Sequence, residues 1–183
     1  MKKNILLAGI ACLLASTANA DVKPYVGVDY NFSTLDWSNG YNSFVEDDYN
    51  SASLVVGAKL NRNFSLEAFY QMSQAEKRSD IDWADTSSRF TAYGLDALGH
   101  LPLGCYGKVE VIGGVGIGEY SFKTRNTYTG VIRDRSTGYR LNAGIQYNID
   151  GNWSVRGMYH HTYNQNSYVD AMDEFSLGLR YNF

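Results

Sequence analysis

From residue 24 to residue 183 apolar side chains return at every second position, in eight separate runs. This pattern constrains the fold more than any other feature of the chain. Period two belongs to a strand with two unlike faces, so the chain reads as all-β. The runs are 24–32, 52–60, 64–72, 89–101, 106–122, 138–149, 153–163 and 172–183. The last is the clearest: Leu177, Leu179, Tyr181 and Phe183 share one face, and Ser176, Gly178, Arg180 and Asn182 the other. The connections alternate in length. Residues 61–63, 102–105 and 150–152 are tight and carry turn residues, whereas 33–51, 73–88, 123–137 and 164–171 are long and polar. Eight antiparallel strands can close on themselves and leave no unpaired edge.

Alternation does not say which face is out; the placement of large aromatics does. Phe64, Tyr147, Trp153, Tyr181 and Phe183 lie at the tight-turn end of the apolar rows. Phe32, Tyr70, Tyr93, Tyr139, Tyr163 and Phe175 lie at the long-loop end, with Val, Leu and Ala between. Two aromatic girdles around an apolar band describe a lipid-facing surface. A soluble barrel of the lipocalin kind would turn that row inward. The opposite row carries Asp29, Glu67, Asp96, Glu110 and Glu174 with Lys59, Lys108, Arg140, Arg156 and Arg180, among many glycines. In a narrow lumen those charges are expected to pair and form a plug, since an unpaired buried charge is costly. The inward glycines are expected to leave room for the long arms, so that Gly116→Ser would be mild. The expected fold is an eight-stranded antiparallel up-and-down transmembrane β-barrel.

The first twenty residues read as an export signal, with Lys2 and Lys3, an apolar run over 5–15, and a small-residue cleavage site at Ala18-Asn19-Ala20. The expected mature domain is 21–183. It retains Cys105, so no internal disulfide is expected. Removing the two leader lysines takes the formal charge from −3 to −5, which does not argue for nucleic acid. Mean hydropathy is −0.32, but alternating strands hide membrane residues from any average.

These features together resemble the small outer-membrane barrel group: the barrel half of OmpA, with OmpX, Ail and the opacity-type proteins. The resemblance implies the bacterial outer membrane as location. It also implies an assembly signal in Gly178, Leu179, Tyr181 and Phe183. The expected partners are outer-membrane lipid and lipopolysaccharide, the barrel-assembly machinery and periplasmic chaperones. No cofactor or metal is expected.

Recognition is expected in the surface loops. Trp37, Tyr41, Asp47 and Asp48 mark the first and Trp83 the second. The third is basic, with Lys123, Arg125, Arg133 and Arg135. The function expected is non-enzymatic, structural or adhesion-like, with a narrow porin and a lipid A deacylase as alternatives. The deacylase PagL carries a His-x-Ser pair and a later Glu on a barrel of this size. His160, Thr162 and Glu174 have comparable order, but Thr162 replaces Ser, and the alternation turns His160 and Thr162 into the lumen.

Overall fold

The computed structural model describes residues 22–37, 48–79, 85–104, 107–126, 130–165 and 169–183. Its strands are β1 (Lys23–Trp37), β2 (Asp48–Lys59), β3 (Phe64–Ser73), β4 (Glu76–Ser79), β5 (Asp85–Leu103), β6 (Val109–Asn126), β7 (Gly130–Asn148), β8 (Trp153–Gln165) and β9 (Val169–Asn182). Every pairing is antiparallel. The order is β3-β2-β1-β9-β8-β7-β6-β5-β4, and a β3–β5 pairing closes the cylinder. Short β4 continues β3 along β5, so the closed barrel has eight staves. Closure at the chain ends sets Tyr25 opposite Asn182 and Val28 opposite Leu179, and the Phe183 N–H donates to the Pro24 carbonyl at 3.0 Å.

Two tight turns share one device. The Asn61 carboxamide oxygen accepts from the N–H groups of Asn63 and Phe64 at 2.8 and 2.9 Å. The Asp150 carboxylate accepts from those of Asn152 and Trp153 at 2.8 and 2.7 Å. Those two donors hold the Asp150 carboxyl below its ordinary range, with Trp153 the stronger. In the third turn Gly104 has φ 74°, a left-handed conformation suited to glycine. Cys105 lies outside the described residues.

The strands run well past the expected boundaries on the long-loop side. Most of the 123–137 stretch is the β6–β7 ladder, whose last pair is Asn126 with Gly130. Arg133 and Arg135, expected in a loop, are on β7; Trp37 and Asp48, likewise expected in a loop, are on β1 and β2. The reason is an inversion of polarity along each stave. Within the apolar band Val28, Leu54, Leu95, Val115, Leu141 and Leu177 face outward and are at least half exposed. Beyond it the outward row turns polar, with Thr34, Asp36, Arg89, Lys123 and Arg133. There the inward row turns apolar: Leu35, Tyr49, Phe90, Ala92, Tyr120, Phe122, Val169 and Met172 are buried as one cluster with Val55 and Phe69. A barrel standing in water needs an apolar inside, whereas one in lipid needs an apolar outside. The place where the two rows exchange character therefore marks the outer membrane boundary. The described parts of the polar stretches read as loops are mostly strands that have left the bilayer.

Candidate functional site: the lumen and the outer rim

The lumen fills in layers. At the turn end Glu110 accepts from Lys59 Nζ at 3.1 Å, from Asn148 Nδ2 at 2.9 Å, and lies 2.9 Å from His100 Nδ1. The other His100 nitrogen meets Ser65 Oγ at 2.8 Å. Above this, Arg180 donates to both oxygens of Asp29 at 2.7 and 2.8 Å. Arg156 makes a two-toothed contact with Glu67, its Nη2 arm at 2.8 Å, and the Tyr25 hydroxyl donates to the same carboxylate at 2.6 Å. A third layer joins Arg140 to Glu174 at 3.0 Å and to Asp96 at 3.6 Å, with Asn142 donating to Asp96 at 3.0 Å. Ser33 and Gln71 also donate to Glu174. The Arg140 guanidinium stands 4.5 Å over the Phe69 ring, where the polar layers meet the apolar cluster.

Arg180, Asp29 and Asp96 lie close over neighbouring strands, and glycine makes that possible. A Cβ on Gly27 would come within 2.3 Å of Arg180 Cδ, and one on Gly178 within 1.7 Å of Asp29 Oδ1. At Gly116 a Cβ would lie 1.9 Å from Asp96 Oδ1 and 2.9 Å from the Leu95 carbonyl, so the expectation that Gly116→Ser is mild is corrected. Its room is already occupied. Lys108 is a second correction. It shares the face of Glu110 by alternation, but it precedes β6 and is exposed, its carbonyl taking the Asn148 N–H at 2.7 Å. His100, Tyr25, Asn142, Ser33 and Gln71 were not anticipated as members of the network. They occupy inward positions of the same alternation, a signal that marks their face without marking their partners.

His160, Thr162 and Glu174 all face inward. His160 and Glu174 stand opposite in register, yet each is engaged elsewhere. His160 meets Asn142 Oδ1 at 2.6 Å and Ser176 Oγ at 3.2 Å, and Thr162 lies 3.4 Å from the Tyr120 hydroxyl. A histidine–carboxylate pair does exist on the outward face. His161 Nδ1 lies 2.5 Å from Asp173 Oδ1, and the Tyr159 hydroxyl donates to that oxygen at 2.6 Å. The residue two positions after His161 is Tyr163, whose ring packs edge-on at 4.3 Å. Sequence reading missed this pair because it began from His160.

At the rim Asp48 accepts from Thr34 Oγ1 at 2.9 Å. Arg135 pairs with Glu119 at 3.0 Å, and Arg133 is exposed on the same outward row of β7. Tyr41, Asp47 and Trp83 lie outside the described residues. In the last strand Gly178 sits beneath Asp29, while Leu179, Tyr181 and Phe183 face outward. The Trp153, Tyr181 and Phe183 rings form a chain with centroids 5.0 and 5.2 Å apart.

A family model for the outer membrane protein beta-barrel domain matches residues 5–183. Among solved structures, neisserial surface protein A aligns with a TM-score of 0.70 at 15% identity, over 87% of this chain and 97% of that one. Ail, the attachment invasion locus protein of Yersinia pestis, aligns at 0.59 and 14% identity, over 88% and 97%. The N-terminal β-barrel domain of Pseudomonas aeruginosa OprF aligns at 0.59 and 15% identity, over 87% and 97%. At these identities the likeness is one of fold. No curated protein matches the sequence.

Proposed function

The chain belongs to the outer membrane protein β-barrel domain family, whose place is the bacterial outer membrane, and from that premise we propose that it is a non-enzymatic surface protein whose role is structural or adhesive. One observation carries the reading. From the Lys59–Glu110 layer to the Phe69–Phe122 cluster the lumen is filled by side chains that bond or pack on one another. The surfaces left to act are the outward rim and the segments joining the strands. Ail, which shares the fold, is an attachment and invasion protein by name, in keeping with an adhesive role here. The partners in this reading are outer-membrane lipid and lipopolysaccharide, together with the barrel-assembly machinery and chaperones that deliver the chain. Residues 1–20 are a cleaved leader and Gly178, Leu179, Tyr181 and Phe183 the assembly signal.

The test is expression in a laboratory Gram-negative host. Intact mass should place the mature N-terminus at Asp21, and expressing cells should adhere to coated or epithelial surfaces more than vector controls. Lipid A mass spectra should match the control, and planar bilayers should show no steady conductance. Loss of an acyl chain dependent on His161 or Asp173 would replace the reading with a lipid A deacylase. A stable single-channel current would replace it with a narrow porin.

A further inference from the structure

Beyond the outer girdle β5, β6 and β7 carry cations at matched positions. The register sets Arg89 opposite Lys123 and Lys123 opposite Arg133, so the three stand in one line across neighbouring strands. Such strands are about 4.8 Å apart. All three side chains point away from the lumen and are exposed or partly so. Arg125 follows two residues on along β6. Like charges set directly opposite destabilise a sheet. On this face Glu119, four residues before Lys123 on β6, is engaged by Arg135 at 3.0 Å. Among the described residues, no ion pair reaches Arg89, Lys123, Arg125 or Arg133. The repulsion registers on Lys123, whose amine is held below its ordinary value, chiefly by Arg89, then by slight burial, Arg133 and Arg125.

A row that works against its own sheet calls for an anion, and its position says where that anion comes from. Arg89 lies four residues past Tyr93 of the outer girdle, about 13 Å along a tilted strand and less in height. Strand tilt lowers that height, and a long cationic arm spans part of what remains, so its head meets headgroups that stand above the girdle. The row faces the lipid side of the wall, not the mouth of the barrel. We propose that Arg89, Lys123 and Arg133 form a binding site for the phosphate groups of a lipid headgroup in the outer leaflet. The proposal rests on the outer-membrane, surface-protein reading above and adds a site and a headgroup chemistry to it.

The test uses the full mature chain refolded in maltoside micelles, which carry no phosphate, with fluorescent phosphatidic acid as probe. Folding is checked by the heat-dependent shift on gels. The combined substitution Arg89→Ser, Lys123→Ser, Arg133→Ser should weaken probe binding about 100-fold, a factor of about five for each cation. Lys23→Ser, Arg62→Ser, Lys108→Ser, an equal charge change at the turn end, should leave it within about twofold. Retained binding in the rim variant would overturn the proposal. Displacement of the lipid by inositol hexaphosphate at equal phosphate concentration would overturn the lipid assignment in favour of a soluble polyanion. A second measurement needs no variant. The urea midpoint of the native chain should rise on adding phosphatidic acid and stay put with phosphatidylcholine, and no rise with phosphatidic acid would again sink the site. These assays are independent of lipid A mass and of cell attachment, so either reading can fail while the other stands.

Discussion

Glu67 is 3% and Arg156 4% exposed, and each is the other's principal partner. Removing one member strands the other. Glu67→Leu should therefore destabilise the barrel by about 3–5 kcal/mol, while adding Arg156→Met should restore most of the loss. Equilibrium urea unfolding from vesicles, run as a double-mutant cycle, measures the coupling. A double variant no more stable than Glu67→Leu would mean the ion pair is incidental to the plug. Gly116→Ser should also lower the midpoint, because Asp96 is held by Arg140 and Asn142 and has nowhere to move. Asp150 offers a test by pH in water outside the membrane. Its folded pKa is lowered, so its contribution is present above the unfolded value near 3.8 and is lost as pH falls through the folded one. Asp150→Asn keeps the accepting oxygen without the titration. The gap in urea midpoint between native and variant chains should shift against the native chain below about pH 3.8. A constant gap would show that the two turn N–H groups do not distinguish carboxylate from carboxamide.

Along a single strand the same chemistry reverses sign at the boundary. On β6 the outward row reads Val111, Gly113, Val115, Ile117, then Glu119, Ser121 and Lys123. Val115→Arg should cost about 2–4 kcal/mol, as a cation near the bilayer midplane, and Ser121→Arg no more than about 1 kcal/mol, from standing opposite Arg135. Equal costs in urea unfolding from vesicles would misplace the boundary drawn from the exchange of polarity. That exchange also explains what the sequence made legible. Strand number, register face and girdles follow from period two, because lipid and lumen demand opposite side chains. Strand ends do not, because beyond Phe32 or Tyr93 both rows change character together, and a polar outward row in water looks like a loop. Inward charges such as Arg140 and Glu174 could be placed on a face, but their pairing needed the stagger of the closed cylinder. Lys108 shows the converse: correct parity is no use to a residue the ladder has not yet reached.

At the scale of the whole barrel, closing the sheet and delivering the chain are separate problems, and Phe183 belongs to both. In the closed barrel its N–H bonds Pro24, its ring lies 5.2 Å from Tyr181, and it is 68% exposed on the outward face. Burying such a side chain in the interface contributes about 1–3 kcal/mol. That is a small part of a cylinder in which β1 pairs β9 from Tyr25–Asn182 through Trp37–Val169. Energetics alone would make its loss tolerable. As the last residue of the proposed assembly signal, however, it is what delivery machinery would read. Deleting Phe183 should therefore leave refolding from urea into detergent micelles nearly unchanged, with the same heat-dependent gel shift. The same deletion should cut the outer-membrane level sharply in cells, with the chain held in the periplasm or degraded. Normal outer-membrane levels would reduce the terminal octapeptide to an ordinary closing strand. Failure to refold in micelles would instead make Phe183 a stability element, and its exposed position would then be a poor guide to its worth.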